Sequence, residues 1–194
     1  MTKRILLAVL LTIASTIVAT AQTAAVKDYY NQENKVGFKY PASWAAPGRG
    51  QWKVVKEGEE SPLMGGNPQE SGFNLLVALA PASDRWFAGG VTAAEVALKV
   101  ATIDEATCKD VKAIDGNVDK TRTEKIGART FYYIVSDNSA TGHTTATHFY
   151  RTIQDGKCYE LLFMRYGEID RKKEPGEKVL DQQYTAILHS LYFK

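Results

Sequence analysis

The chain has 194 residues, with 24 Lys and Arg against 22 Asp and Glu, and 44% of it is hydrophobic. That length supports one domain with a substantial core. The near-balance of charge excludes a polyanion-binding protein, whose counterion release needs a concentrated basic surface. The one basic triplet, Arg171-Lys172-Lys173, is flanked by Glu168, Asp170, Glu174 and Glu177 and makes an ordinary solvated turn, so no nucleic-acid partner is expected.

The first residues predict export. Lys3 and Arg4 form a positive n-region, Ile5 to Val18 is apolar with only Thr and Ser interrupting, and Ala19-Thr20-Ala21 is an A-x-A cleavage site. The apolar run is about fourteen residues, short of the ~20 that span a bilayer. No Cys stands at the cut between Ala21 and Gln22, so no lipid anchor and no stable membrane insertion after cleavage are expected. Residues 1–21 therefore read as a signal peptide and 22–194 as one extracytoplasmic domain, periplasmic or secreted. Loss of Lys3 and Arg4 leaves 22 basic against 22 acidic residues. Two cysteines in an exported chain most often pair. A Cys108–Cys158 bond closes a loop of about 50 residues, worth roughly 4 kcal/mol in chain entropy. No C-x-x-C spacing supports a redox role instead.

In chain order, Ala24 to Tyr30 reads as a helical turn or edge strand. Val36-Gly37-Phe38-Lys39-Tyr40 alternates as a half-buried strand that Pro41 stops. Trp44 then folds back onto the core, and Trp52 to Val55 pairs with the first strand. Glu57 to Gly72, rich in Gly and Pro, is a long loop. Phe73 to Leu79 is an apolar central strand, and Pro81 to Gly90 a loop with Trp86 and Phe87 at its tip. Thr92-Ala93-Ala94-Glu95 matches a capping box, and Ala93, Val96, Ala97, Val100 and Ile103 mark one face of a helix ending near Asp104. Cys108 to Ile114 and Val118 to Lys125 are strand candidates, the second polar and therefore at an edge. Three strands follow between Arg129 and Tyr166, the last two joined at Asp155-Gly156. The first and third are apolar on both faces and belong in the middle of a covered sheet. Pro175 opens a helix with Leu180, Tyr184, Ile187, Leu188 and Leu191 on one face, and Leu191-Tyr192-Phe193 closes the chain. This order predicts an α+β fold, an antiparallel β-sheet with helices on both faces, an α/β/α sandwich.

The two ends carry a resemblance. Gly37-Phe38-Lys39-Tyr40-Pro41 with Trp44, and Ile187-Leu188-His189-Ser190-Leu191-Tyr192-Phe193, resemble the opening and closing motifs of the PsbP-like (PsbP/Mog-type) α/β/α superfamily. Its members include an extrinsic photosystem II subunit, a Ran-binding nuclear protein and exported bacterial proteins of unknown role. The resemblance implies the α/β/α fold and a protein that binds without catalysing. The photosystem subunit's metal and docking residues have no matching motif in this chain.

The chemistry-bearing residues point the same way. His143 and His148, five apart, lack a metal-ligand spacing, and no metal or other cofactor is expected. Ser136, Asp137 and His143 have the residue types of a hydrolase but no G-x-S-x-G elbow, and an Asx turn explains them. Gly65-Gly66 and Gly89-Gly90 have no Lys at a phosphate-loop offset, although Gly89-Gly90 before a helix start is a conceivable anion site. Glu57, Glu59 and Glu60 lack an apolar shell to raise a pKa and read as solubilising charge. Trp86 and Phe87 are the candidate interaction residues. The expectation is a non-enzymatic accessory domain docking on an extracytoplasmic partner through the loops 57–72 or 81–90. The alternative is a small-ligand protein with an apolar pocket between sheet and helix, lined by some of Trp44, Tyr132, Tyr150 and Phe163.

Overall fold

The computed structural model describes residues 25–44, 55–56, 72–81, 91–111, 121–140, 143–168 and 175–194. The segment 1–21 expected to be a signal peptide, Trp52, Trp86, Phe87 and most of the two long loops lie outside these residues. The elements are strands β1 (Val26–Asn31), β2 (Val36–Pro41), β3 (Val55–Lys56), β4 (Asn74–Leu79) and β5 (Val91–Ala101), then helix α1 (Glu105–Lys109). Strands β6 (Arg122–Ile126), β7 (Arg129–Ala140), β8 (His143–Gln154) and β9 (Lys157–Glu168) follow, and helix α2 (Pro175–His189) and β10 (Tyr192–Phe193) close the chain.

A seven-stranded antiparallel sheet, ordered β3-β4-β5-β9-β8-β7-β6, carries the core. The hairpin β8–β9 turns at Asp155 and Gly156, whose φ values of 51° and 73° are those of a primed turn that matches strand twist. Strand β9 is central, and its residues are buried on both sides: Tyr159, Leu161 and Phe163 face α2, while Cys158, Glu160 and Leu162 face away. Strand β7 lies one place from the edge, and the polar β6 forms that edge, as its run of charges requires.

The opening motif sits in a separate three-stranded sheet, β1-β2-β10. The partner of β2 is therefore β1, and Val55 pairs with β4 rather than with β2. This small sheet and α2 together cover one face of the large sheet, the α2 face: Val36, Phe38 and Trp44 share a cluster with Val77, Leu98, Leu161, Leu180 and Ile187. Gly37 explains why the two terminal motifs belong together. It stands opposite Tyr30 on one side and Tyr192 on the other, and those two rings stack across it at 6.0 Å. Ser190 fixes the end of α2 to β2, its hydroxyl accepting from the Lys39 amide at 2.8 Å. Both motifs make packing contacts with each other.

Two expected elements are different in the structure. The segment 92–104 is not a capped helix. Val91–Ala101 is a strand, paired with β4 and β9 and buried from Ala94 to Ala101. A segment apolar on nearly every position satisfies helical spacing and a doubly buried strand alike, and the two flanking strands decide in favour of the ladder. The helix comes later and is short: Asp104 caps α1 by accepting from the Thr107 amide at 2.9 Å. Cys108 accordingly lies in α1 and not in a strand. The fold is therefore richer in β structure than an α/β/α sandwich. Among the described residues α2 is the one helix that covers a face, and the five-residue α1 touches only a corner of the opposite one.

That corner is where the disulfide lies. Cys108 and Cys158 are bonded, with Phe73 and Ala101 packed around them. Beside it is a buried charge row: Glu160 accepts from Lys99 at 3.3 Å and from Arg151 at 2.8 Å. Arg151 also lies over the Phe73 ring and reaches the Thr107 and Asp110 carbonyls. Charges this buried are tolerable only when paired, and here the pairing ties α1 to β8 and β9.

Two outcomes follow from these contacts. Replacing both cysteines by Ala lowers the unfolding free energy by up to about 4 kcal/mol in a urea titration, from the loss of a loop spanning 50 residues. Gly37→Ala is destabilising by about 1–3 kcal/mol in the same assay, because its Cβ would lie 2.5 Å from the Tyr29 carbonyl oxygen and 2.6 Å from the Tyr192 ring.

Candidate functional site

A cleft of about 290 Å³ opens on the α2 face, between the helix and strands β7, β8 and β9. Its origin is local. Helix α2 lies closest to β2 and β5, so it covers the β7–β8 side of the face incompletely. Arg165 on β9 stands opposite Ala94 on β5 and Ala146 on β8. Two alanines beside a long side chain leave unfilled volume where three bulky residues would have closed it.

The floor is apolar and aromatic. Phe163 packs on Tyr184 of α2 at 4.7 Å between ring centroids, and on the edge of Tyr150 at 5.9 Å. Tyr150 in turn stacks on Tyr133 at 5.2 Å with the rings 14° apart. Leu188 and Val135 complete the apolar lining. Tyr184 is held by its hydroxyl, which donates to the Met164 carbonyl at 2.7 Å, and burial pushes its phenol well up. Burial also pushes the Tyr150 phenol up, to about 12, with the charge of Glu124 and the neighbouring Tyr133 adding to the effect. Both tyrosines are neutral hydrogen-bonding groups across the physiological range.

The mouth is polar. Arg165 and Asp181 form an ion pair at 3.2 Å, with side chains 20% and 41% exposed. His148 and Thr185 stand beside them. The Thr185 hydroxyl donates to the Asp181 carbonyl one helical turn back, at 2.9 Å. The cleft thus combines an aromatic floor with a few placed polar groups, the usual composition of a small-ligand site.

Of the four residues expected to line such a pocket, the structure brings Tyr150 and Phe163 into it. Tyr132 belongs to the opposite face, under the Lys109 ammonium at 5.5 Å. Trp44 is fully buried behind the cleft, edge-on to Tyr184 at 6.0 Å and donating to Gln183 at 3.1 Å. The sequence reading missed Arg165, Asp181 and Thr185. The signal was there in Arg165, the charge that follows directly on the apolar run Leu161-Leu162-Phe163-Met164.

Of the two histidines weighed as metal ligands, His148 lines the cleft; the hydrolase residue types do not come together. Ser136 stands opposite Thr147, and His143 opposite Ala140, four places further along the same ladder. At about 3.3 Å per residue the two are separated by more than a hydrogen bond can bridge. Val91 begins a strand, so no helix N-terminus follows Gly89-Gly90 to hold an anion. Among the described residues no group of three His, Cys, Asp or Glu is placed to hold a metal, and no helix is long and apolar enough to cross a membrane. The candidate interaction residues Trp86 and Phe87 lie outside the described residues.

No protein-family model matches the chain, and no curated protein matches it in sequence. Among solved structures, it is similar to a Bacteroides thetaiotaomicron protein with a TM-score of 0.49 and 13% identity, covering 87% of this chain and 48% of that one. The chain thus spans about half the length of that relative. The cyanobacterial PsbP, CyanoP, of Synechocystis gives a TM-score of 0.47 and 11% identity over 90% of this chain and 96% of that one. LpqN of Mycobacterium tuberculosis, involved in cell envelope biogenesis, gives 0.48 and 10% over 88% and 91%. The family that the terminal motifs resemble is represented among these neighbours, and likeness at this depth assigns neither family membership nor function.

The Tyr150 environment is directly measurable. In an alkaline spectrophotometric titration, the difference between the wild type and Tyr150→Phe should show one phenol with a midpoint of about 12; a midpoint at the ordinary value near 10 contradicts a packed floor. Because the folded pKa is raised above the unfolded one, the stabilisation linked to this group is complete below about pH 10 and is lost as pH rises from there toward 12.

Proposed function

We propose that this chain is an exported, non-enzymatic binding domain whose ligand is a small molecule held in the cleft between α2 and the large sheet. The observation that carries the reading is the cleft itself: about 290 Å³, floored by Phe163 and Tyr184 and rimmed by Arg165 and Asp181. Its polar groups point at binding rather than turnover. Asp181 is engaged by Arg165, the Thr185 hydroxyl donates to the Asp181 carbonyl, and among the described residues no serine or cysteine lines the cleft beside His148. The Cys108–Cys158 bond supports an oxidising, extracytoplasmic setting.

Native mass spectrometry of protein purified gently from its own compartment tests the proposal. The expected result is a small non-covalent adduct on the wild type that is absent from Val135→Trp, which fills the cleft from the sheet side, and from Thr185→Trp, which fills it from the helix. An adduct retained at full occupancy in both folded variants would put the ligand elsewhere and overturn the assignment.

A further inference from the structure

We infer that the ligand of this cleft is a free α-amino acid with an apolar or aromatic side chain, bound as its zwitterion; the inference rests on the cleft being a ligand site. The charges at its mouth select the ligand. Arg165 and Asp181 place one positive and one negative group side by side, 3.2 Å apart, at the edge of an apolar floor. A lone carboxylate would gain Arg165 but would also lie against Asp181. A lone amine would gain Asp181 and meet Arg165. A neutral apolar molecule would use neither. A zwitterion carries its carboxylate and ammonium on one carbon, and each finds an opposite charge on the wall.

The exchange is also energetically accessible. Partly exposed ion pairs contribute little to stability, so separating this one to admit a ligand costs little. The guanidinium has five donors in a fixed fork and spends one on Asp181 at NH1, leaving others that can hold a carboxylate bidentately. Its ladder neighbours, Ala94 and Ala146, leave the side chain room to turn toward the ligand. With the head group at the mouth, the ligand's side chain falls on Phe163, Leu188 and Val135. A volume of about 290 Å³ lies at the small end of ligand pockets, the scale of one amino acid rather than a peptide.

Calorimetric titration with L-phenylalanine, phenylpropionate (no ammonium) and phenethylamine (no carboxylate) tests this. Phenylalanine should bind about tenfold or more tighter than either analogue, the factor expected when one charged hydrogen-bonding group is lost. Asp181→Asn should remove its advantage over phenylpropionate, and Arg165→Gln its advantage over phenethylamine. Equal binding of phenylpropionate and phenylalanine, or no binding of phenylalanine, overturns the inference. A neutral fluorophore, N-phenylnaphthylamine, separates the two levels of the account. If it binds the wild type but not Val135→Trp, and phenylalanine does not displace it, the cleft remains a ligand site and the amino-acid assignment alone fails. If neither the fluorophore nor phenylalanine binds, both fail together.

Discussion

From Cys158 to Phe163 strand β9 has no wet face, and the rest of the molecule is arranged around that constraint. Its Tyr159, Leu161 and Phe163 need cover on one side, and Cys158, Glu160 and Leu162 on the other. A single α2 of 15 residues is about 22 Å long and cannot cover a seven-stranded sheet. The small sheet β1-β2-β10 supplies the missing cover on the α2 face, with Phe193 edge-on to Tyr159 at 4.8 Å and the Tyr29 hydroxyl donating to the Leu76 carbonyl at 3.0 Å. Chain ends that are far apart in sequence are therefore joined in space, through Gly37 and Ser190.

The same division of labour produces the cleft. Ser190 fixes the C-terminal end of α2 to β2, and Tyr184 fixes its middle to the Met164 carbonyl of β9. The helix is held toward the β2 and β5 side, so that Phe163 is covered and Tyr150 beyond it is left half-buried. The described residues that line the cleft all lie on strands and on α2. The positions of these elements are over-determined by packing, which favours precise placement of the few polar groups at the rim.

How much of this was legible in the sequence depends on how local the deciding physics is. The Asp155-Gly156 hairpin, the polar β6 edge and the apolar face of α2 are written in short-range patterns, and the structure contains all three. The disulfide followed from there being two cysteines and no other pairing. The segment 91–101 was misread because it is apolar at helical spacing as well as at every alternate position. Only its neighbours β4 and β9, distant in sequence, determine that it is a strand. The cleft was legible in part. Aromatic residues on apolar strands suggested Tyr150 and Phe163, but the faces assigned to Tyr132 and Trp44 depend on register and on how deep each packs. The ion pair joins residues 165 and 181 across a strand-to-helix connection, and no periodicity announces such a pair.

A ligand in the cleft would span α2 and the strands beneath it. Hydrogen–deuterium exchange, read on protein taken directly from its native compartment and again after unfolding, dialysis and refolding, tests for it. Exchange should be faster in the stripped protein at residues 178–190 and in the Val135, His148 and Arg165 segments of β7, β8 and β9, with β1 and β2 unchanged. Identical exchange in both preparations, or a difference confined to the small sheet, would contradict it.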